Sequence, residues 1–396
     1  MLRWVAAYTA SMLGDTVFFL ALSWAAVRSG SPAEAGIVTA VSAVPRALLM
    51  LGGGVIADRL GPRRVVIGSD AVRCVMVLTV AAVLFATDPG LWLLVLLAVV
   101  FGTVDAVFMP AVGALPARIT GKDQLARVQG MRGLAVRFAA VVGAPLGGLG
   151  VAAGGPAAAF ALAGALIAVS VPLLVSVRMR DLPPDDTAGA AGDGTAWHDL
   201  RAGLRHIRGH RVLAPLMVVI ALGDLGFVGP LNVGLTLLAD ERGWGASGLG
   251  WVLAGFGTGA GAAALLLTVR GRVPHAGCVA GGAIIPGAAA IAALAYVPAV
   301  AAAVGVAVLV GLLTGLSGAV CGALLQTQSA PAYLGRVTAV AGLVSLGIAP
   351  LGMPLSAAAI GVWGTGPVFT VSAAVCALSG LVALCAPGLR RAELPR

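Results

Sequence analysis

The chain has 396 residues, 59% of them hydrophobic and only 10% charged. A soluble domain carries about a quarter of its residues as charges, so a large soluble enzyme or binding protein is excluded. The formal net charge of +9 does not point to nucleic acid either, because the basic residues sit mainly in short connections between long apolar runs.

Those runs are about 20 residues long, the length that crosses ~30 Å of hydrocarbon as a helix. A spanning β-barrel would show ~10-residue alternation instead. Twelve spans are predicted, at roughly 4–27, 35–57, 65–87, 91–112, 128–150, 157–177, 211–238, 247–269, 276–297, 299–325, 337–361 and 367–386. The fold class is therefore an all-α membrane protein.

Span 1 carries Asp15 near its middle, with Tyr8 and Ser11 on the same helical face. A carboxylate at that depth faces a cavity or a partner. Arg46 lies near the middle of span 2, and Asp70 and Arg73, three apart on span 3, are spaced to pair with each other. Asp105 in span 4 and Arg137 in span 5 lie at similar depth, which makes an ion pair among Asp105, Arg137 and Arg46 the plain expectation. The stretch 141–150, "VVGAPLGGLG", places Gly143, Gly147 and Gly148 around Pro145, a pattern for close helix packing with a bend.

The polar segment 178–210 divides the chain. Residues 180–196 read as a flexible linker, and 197–208 as an amphipathic helix lying on the inner membrane surface. Span 7 repeats the deep carboxylate at Asp224, followed by Phe227, by Gly229 and Pro230, which can break the helix, and by Asn232. The basic connections alternate: Arg3, Arg59 with Arg63 and Arg64, Lys122, the 178–211 stretch, Arg270 and Arg336 fall on one side, and only Arg28 and Arg242 on the other. The positive-inside rule puts both termini and the central loop in the cytoplasm.

"LGDTVF" (13–18) returns as "LGDLGF" (222–227), 209 residues later, and "LARV" (125–128) as "LGRV" (334–337) at the same offset. "APLG" (144–147) recurs at 349–352. The common order implies two six-span halves in parallel orientation, 1–177 and 211–396, as transporters use.

On that frame "GVIADRLGPRR" (54–64), between spans 2 and 3, resembles the cytoplasmic loop signature of the major facilitator superfamily, with Gly54, Asp58, Arg59, Gly61, Arg63 and Arg64 in place. With "VPRALLMLGGGVIADR" (44–59) and "LQTQSAPAYLGRV" (325–337), the chain is similar to the bacterial drug and siderophore exporter branch. The resemblance implies twelve helices in two parallel six-helix repeats, a central cavity lined by spans 1 and 7, and a gating role for the Asp58 loop. It also implies an antiporter-like role for Gly143, Pro145, Gly147 and Gly148, with Ala144 where the family carries Gly. The family's Arg in span 4 is missing, since "LAVVFGTVDAV" (97–107) has Asp105 instead.

The expected activity is proton-coupled efflux of a small amphipathic compound across a bacterial plasma membrane by a monomer. Asp15, Asp224 and Asp105 are the candidate proton or cation sites, and Arg46 and Arg137 their charge partners. Tyr8, Ser11, Phe18, Phe19, Phe227 and Asn232 are the candidate cavity wall. A structural ion pair or helix-packing hydrogen bond is the alternative for each carboxylate, and an importer or facilitator the alternative activity. No cofactor, metal or nucleic acid is expected. The four histidines lie in polar loops and the five cysteines form no C-x-x-C pair, and no G-x-x-x-x-G-K-[ST] loop marks ATP as the energy source. A membrane-embedded enzyme or receptor is the remote alternative.

Overall fold

The computed structural model describes residues 2–87, 90–120, 125–177, 196–270, 274–330 and 333–393. Its elements are helices: α1 (Leu2–Ser29), α2 (Pro32–Leu60), α3 (Pro62–Ala86), α4 (Leu91–Ile119), α5 (Leu125–Val175), α6 (Ala196–Gly209) and α7 (Leu213–Gly229). After a π-helical turn at Pro230–Gly234 come α8 (Leu235–Glu241), α9 (Gly245–Arg270), α10 (Ala276–Leu294), α11 (Val300–Gln328), α12 (Leu334–Trp363), α13 (Thr365–Cys385) and α14 (Pro387–Arg390). Among the described residues, nine helices are long and apolar enough to cross a membrane.

Local chemistry sets several of the boundaries. Ser31 and Glu34 form a reciprocal capping box at the start of α2, with Pro32 in its first turn. Gly61, at φ 83°, ends α2 and Pro62 opens α3 immediately, so a single left-handed residue turns one helix into the next. The predicted spans 5 and 6 meet within α5 at Gly154 and Gly155, where the backbone leaves the helical region and φ reaches 71° at Gly155. Pro145 lies inside the helical stretch that precedes this glycine pair. The predicted break at Gly229 and Pro230 takes the form of the π-helical turn.

Two compact units emerge. One comprises Met1–Pro183, Asn232–Ala254 and Met353–Gly361, and the other Pro184–Leu231, Gly255–Gly352 and Val362–Arg396. In the first, α1 packs along α5 through small residues. A Cβ added at Gly14 would stand 2.6 Å from Ile167 Cγ1, and one at Gly143 would stand 2.8 Å from Thr16 Cβ. Without such side chains the two backbones approach closely and gain dispersion contacts. Gly147 faces Val17 in the same seam, and a Cβ on Gly148 would overlap the Ala246 carbonyl of α9. Trp4, Tyr8, Phe108 and Leu115 fill the core at one end of this unit.

The second unit is built around Leu213 and Leu216 of α7, Ala276 and Ala280 of α10, and Val320 and Leu324 of α11. Ile207 of α6 belongs to the same core, and His206 stacks on Tyr333 with ring centroids 4.4 Å apart. Of the apolar stripe of α6, Ile207 is buried in this core and Leu204 is exposed. Residues 178–195 of the predicted linker lie outside the described residues.

Candidate functional site

α1, α2, α3 and α4 bring five charged side chains of the first unit together. α3 supplies both Asp70 and Arg73, one helical turn apart and fully buried. The guanidinium of Arg73 organises the cluster. Its Nη1 lies 3.0 Å from each carboxylate oxygen of Asp15 on α1 and 3.9 Å from Oδ1 of Asp105 on α4. Its Nη2 donates to Asp70 and, at 3.1 Å, to Ser11 Oγ. Arg46 of α2 completes the set, with Nε 3.1 Å from Oδ2 of Asp105.

Packing explains why these groups meet. A Cβ on Gly102 would overlap the backbone carbonyl of Ser42, so α2 and α4 touch main chain to main chain. Arg46 is one turn beyond Ser42 and Asp105 one turn beyond Gly102, and the contact therefore sets these two side chains opposite each other. Phe108, one turn past Asp105, lies beneath the Arg73 guanidinium at 3.9 Å, and Phe101 lies at 5.5 Å. Aromatic faces stabilise a desolvated cation. The Nε of Arg73 is buried and has no hydrogen-bond partner among the described residues.

The three carboxylates are not equivalent. Asp70 accepts from Arg73, from Ser11 Oγ at 3.1 Å and from Ser170 Oγ of α5, and is wholly buried. Asp105 lies between two guanidiniums. Among the described residues, Asp15 is held by Nη1 of Arg73 alone, shared by both its oxygens, and its side chain is 13% exposed. Three anions face two cations, so a fully ionised cluster carries one uncompensated negative charge in a low-dielectric interior, a costly state.

The deep carboxylate of the second unit has a different setting. Asp224 of α7 accepts a hydrogen bond from Ser345 of α12, and no guanidinium pairs with it among the described residues. Phe227, one turn later, stands 5.6 Å from Phe256 of α9. Gly226, between them, approaches α13 so closely that a Cβ would stand 2.6 Å from the Ser372 carbonyl.

The remaining predicted residues divide. Arg137 is exposed, and Asp105 is held by Arg46 and Arg73 instead. Similar depth along two helices did not mean similar direction around them, so the Arg137 pairing is corrected. Phe18 is completely buried, stacked 3.9 Å from Phe101 and 5.8 Å from Phe160. It is a core ring, which removes it from the cavity wall. Ser11 is buried in the charge cluster, and Tyr8 stacks on Trp4 while its hydroxyl accepts from Arg132 Nε at 3.4 Å. Phe19 and Asn232 are exposed. Of the loop motif, Gly54, Asp58 and Arg59 fall within α2, their contacts outside the described set, and Arg64 is exposed. Arg63 donates to the Val175 carbonyl at 2.6 Å, a cation at the C-terminal end of a helix. Arg73 is the member that sequence reasoning missed as an organiser. Its spacing from Asp70 was visible, whereas its reach to two other helices was not.

A family model described as Major Facilitator Superfamily matches residues 4–345. The chain is 26% identical over 393 residues to the "Multidrug efflux pump Tap" of Mycobacterium bovis (strain BCG / Pasteur 1173P2) and of Mycobacterium tuberculosis (strain ATCC 25618 / H37Rv). The match covers 96% of this chain and 92% of each relative. Among solved structures, the nucleoside transporter NupG aligns with a TM-score of 0.71 at 14% identity, covering 97% of this chain and 98% of that one. A bacterial homologue of the human lysosomal transporter Spinster, in an inward-facing and occupied conformation, aligns with a TM-score of 0.68 at 15% identity, covering 98% and 95%.

Proposed function

Because the chain belongs to the major facilitator superfamily, we propose that it is a proton-coupled exporter, exchanging protons for a small amphipathic compound across a bacterial plasma membrane. The observation that carries the coupling part is the charge imbalance around Arg73: three carboxylates, two guanidiniums, and Asp15 with the fewest donors and the most exposure among those bound to Arg73. A proton on Asp15 neutralises the cluster, and its loss restores a carboxylate that Arg73 can hold. Asp70 accepts from Arg73, Ser11 and Ser170, and Asp105 lies between Arg46 and Arg73. Asp224, with no guanidinium partner among the described residues, is the second carboxylate, suited to a cationic group of the cargo or to a second proton.

The direction rests on the likeness to a named efflux pump across nearly the full chain. Twelve spans, cytoplasmic termini and a monomer that rocks residues 1–177 against 211–396 complete the reading. Everted membrane vesicles test it. A compound from a screen for export should accumulate when an inside-acid gradient is imposed, and the accumulation should collapse with a protonophore. Accumulation that ignores the protonophore, or that runs only in right-side-out vesicles, refutes proton-driven export.

A further inference from the structure

The two amino groups of Arg73 are held differently. Nη2 is anchored by its helix neighbour Asp70 and by Ser11, both buried. Nη1 sits on Asp15 and is about 1 Å short of a normal hydrogen bond to Asp105. A small rotation about the anchored side therefore carries Nη1 from one carboxylate to the other. Asp105 in turn pairs with Arg46, whose side chain is 32% exposed, the most exposed of the five. Arg46 follows Pro45, which lies inside α2. A proline in a helix interior removes one backbone hydrogen bond and makes that turn the weakest part of the helix.

We propose that Arg73 is the positioning residue that transmits the protonation of Asp15 to α2, by moving Nη1 from Asp15 to Asp105 and so releasing Arg46 at the Pro45 turn. This rests on the reading of Asp15 as the proton site. When Asp15 accepts a proton from water, its charge goes from −1 to 0 and Nη1 loses its anion. Asp105 is then the nearest carboxylate, and a fuller bond from Arg73 weakens its attraction for Arg46. Loss of the proton runs the sequence backwards. The other groups facing Asp15 do not supply a rival acceptor. Asp70 is filled by Nη2, Ser11 and Ser170, Cys74 of α3 donates to the Gly164 carbonyl at 3.6 Å, and α5 meets the cluster through the Ser170 hydroxyl.

The test needs no cargo. In purified full-length protein in lipid nanodiscs, infrared difference spectra between acid and alkaline buffer report the protonated-carboxyl band, and amide hydrogen exchange followed by mass spectrometry reports the α2 peptide around Pro45. In the wild type, α2 exchange should rise about tenfold at pH values where the carboxyl band is present. Asp15→Asn, which mimics the protonated acid, should lose that part of the band and hold α2 at the fast level at every pH. Arg73→Lys keeps the charge but cannot bridge two sites. It should keep the Asp15 band, with α2 exchange no longer following it. Arg46→Gln should hold α2 fast throughout. If the Asp15 band titrates while α2 follows pH in Arg73→Lys as in the wild type, or does not respond in the wild type, the transmission is wrong and the proton site stands. If Asp15→Asn leaves the band unchanged, the proton site itself is wrong. Should Arg73→Lys fail to fold, Asp15→Asn and Arg46→Gln still decide, because an α2 that stays slow in both overturns the proposal.

Discussion

Arg73 places one guanidinium nitrogen 3.0 Å from both oxygens of Asp15, joining α3 to α1 in the interior of the first unit. Removing the cation strands the acids around it. Breaking a buried ion pair from one side costs about 3–5 kcal/mol, far more than the pair contributes over apolar packing. Arg73→Ala should therefore lower the unfolding temperature and the yield of folded protein sharply. Asp15→Asn, which brings the cluster to two anions and two cations, should leave stability near the wild-type level. Equal losses in the two variants, in a thermal-shift assay in detergent, would contradict the charge count.

The Gly102–Ser42 contact makes a steric prediction. Gly102→Ala forces α2 from α4, and overpacking of this kind costs about 1–3 kcal/mol. Gly113, on the same helix, has nothing within 4 Å of an added Cβ, so Gly113→Ala should be neutral or stabilising by up to about 1 kcal/mol. The comparison of the two melting temperatures checks the geometry, and the Gly102 variant should also disturb Arg46.

Asp224 should matter through charge. Asp224→Asn is expected to cut export of a positively charged cargo by about tenfold or more, while Ser345→Ala, which removes only the hydroxyl donor, should cost far less. Transport rates normalised to protein in the membrane decide between them. Equal transport by Asp224→Asn and wild type would remove Asp224 from the cargo path.

At the start of α7, His210 Nδ1 accepts from the backbone N–H groups of Val212 and Leu213, both at 3.2 Å. Burial, and then the neighbouring His206, lower its pKa from the ordinary histidine range. Since the folded value lies below the unfolded one, the cap's stabilisation is complete above the unfolded pKa and is lost as pH falls through the folded one. His210→Asn keeps an acceptor that does not titrate and should retain stability at acid pH, whereas His210→Ala should be weakened at neutral pH as well. Melting curves at several pH values would show whether the acid-side loss belongs to this histidine.

Apolar runs without charge read well from sequence, because a helix inside a membrane has no alternative way to satisfy its backbone. The Gly229–Pro230 break and the Asp70–Arg73 pair also read well, being local. What depended on the angular setting of one helix against another did not. Arg137 and Asp105 share a depth and face different ways, and Phe18 sits on the buried side of α1. Arg73 shows the limit most clearly: its nearest sequence partner was evident, and its other two partners come from helices that only packing brings near.

The offset of 209 residues that relates Asp15 to Asp224 pairs Arg73 with Gly282, Asp70 with Val279, Asp105 with Thr314 and Arg46 with Gly255. The duplicated scaffold therefore kept one carboxylate in each copy and a counter-ion network in one. Symmetry of the backbone has been separated from symmetry of charge. A chain assembled from the first repeat twice would preserve the architecture and bury a second set of opposed charges. One assembled from the second repeat twice would leave two carboxylates with no arginine to answer them. The inequality is one of charge alone, with glycine in the second repeat where the first carries Arg46 and Arg73.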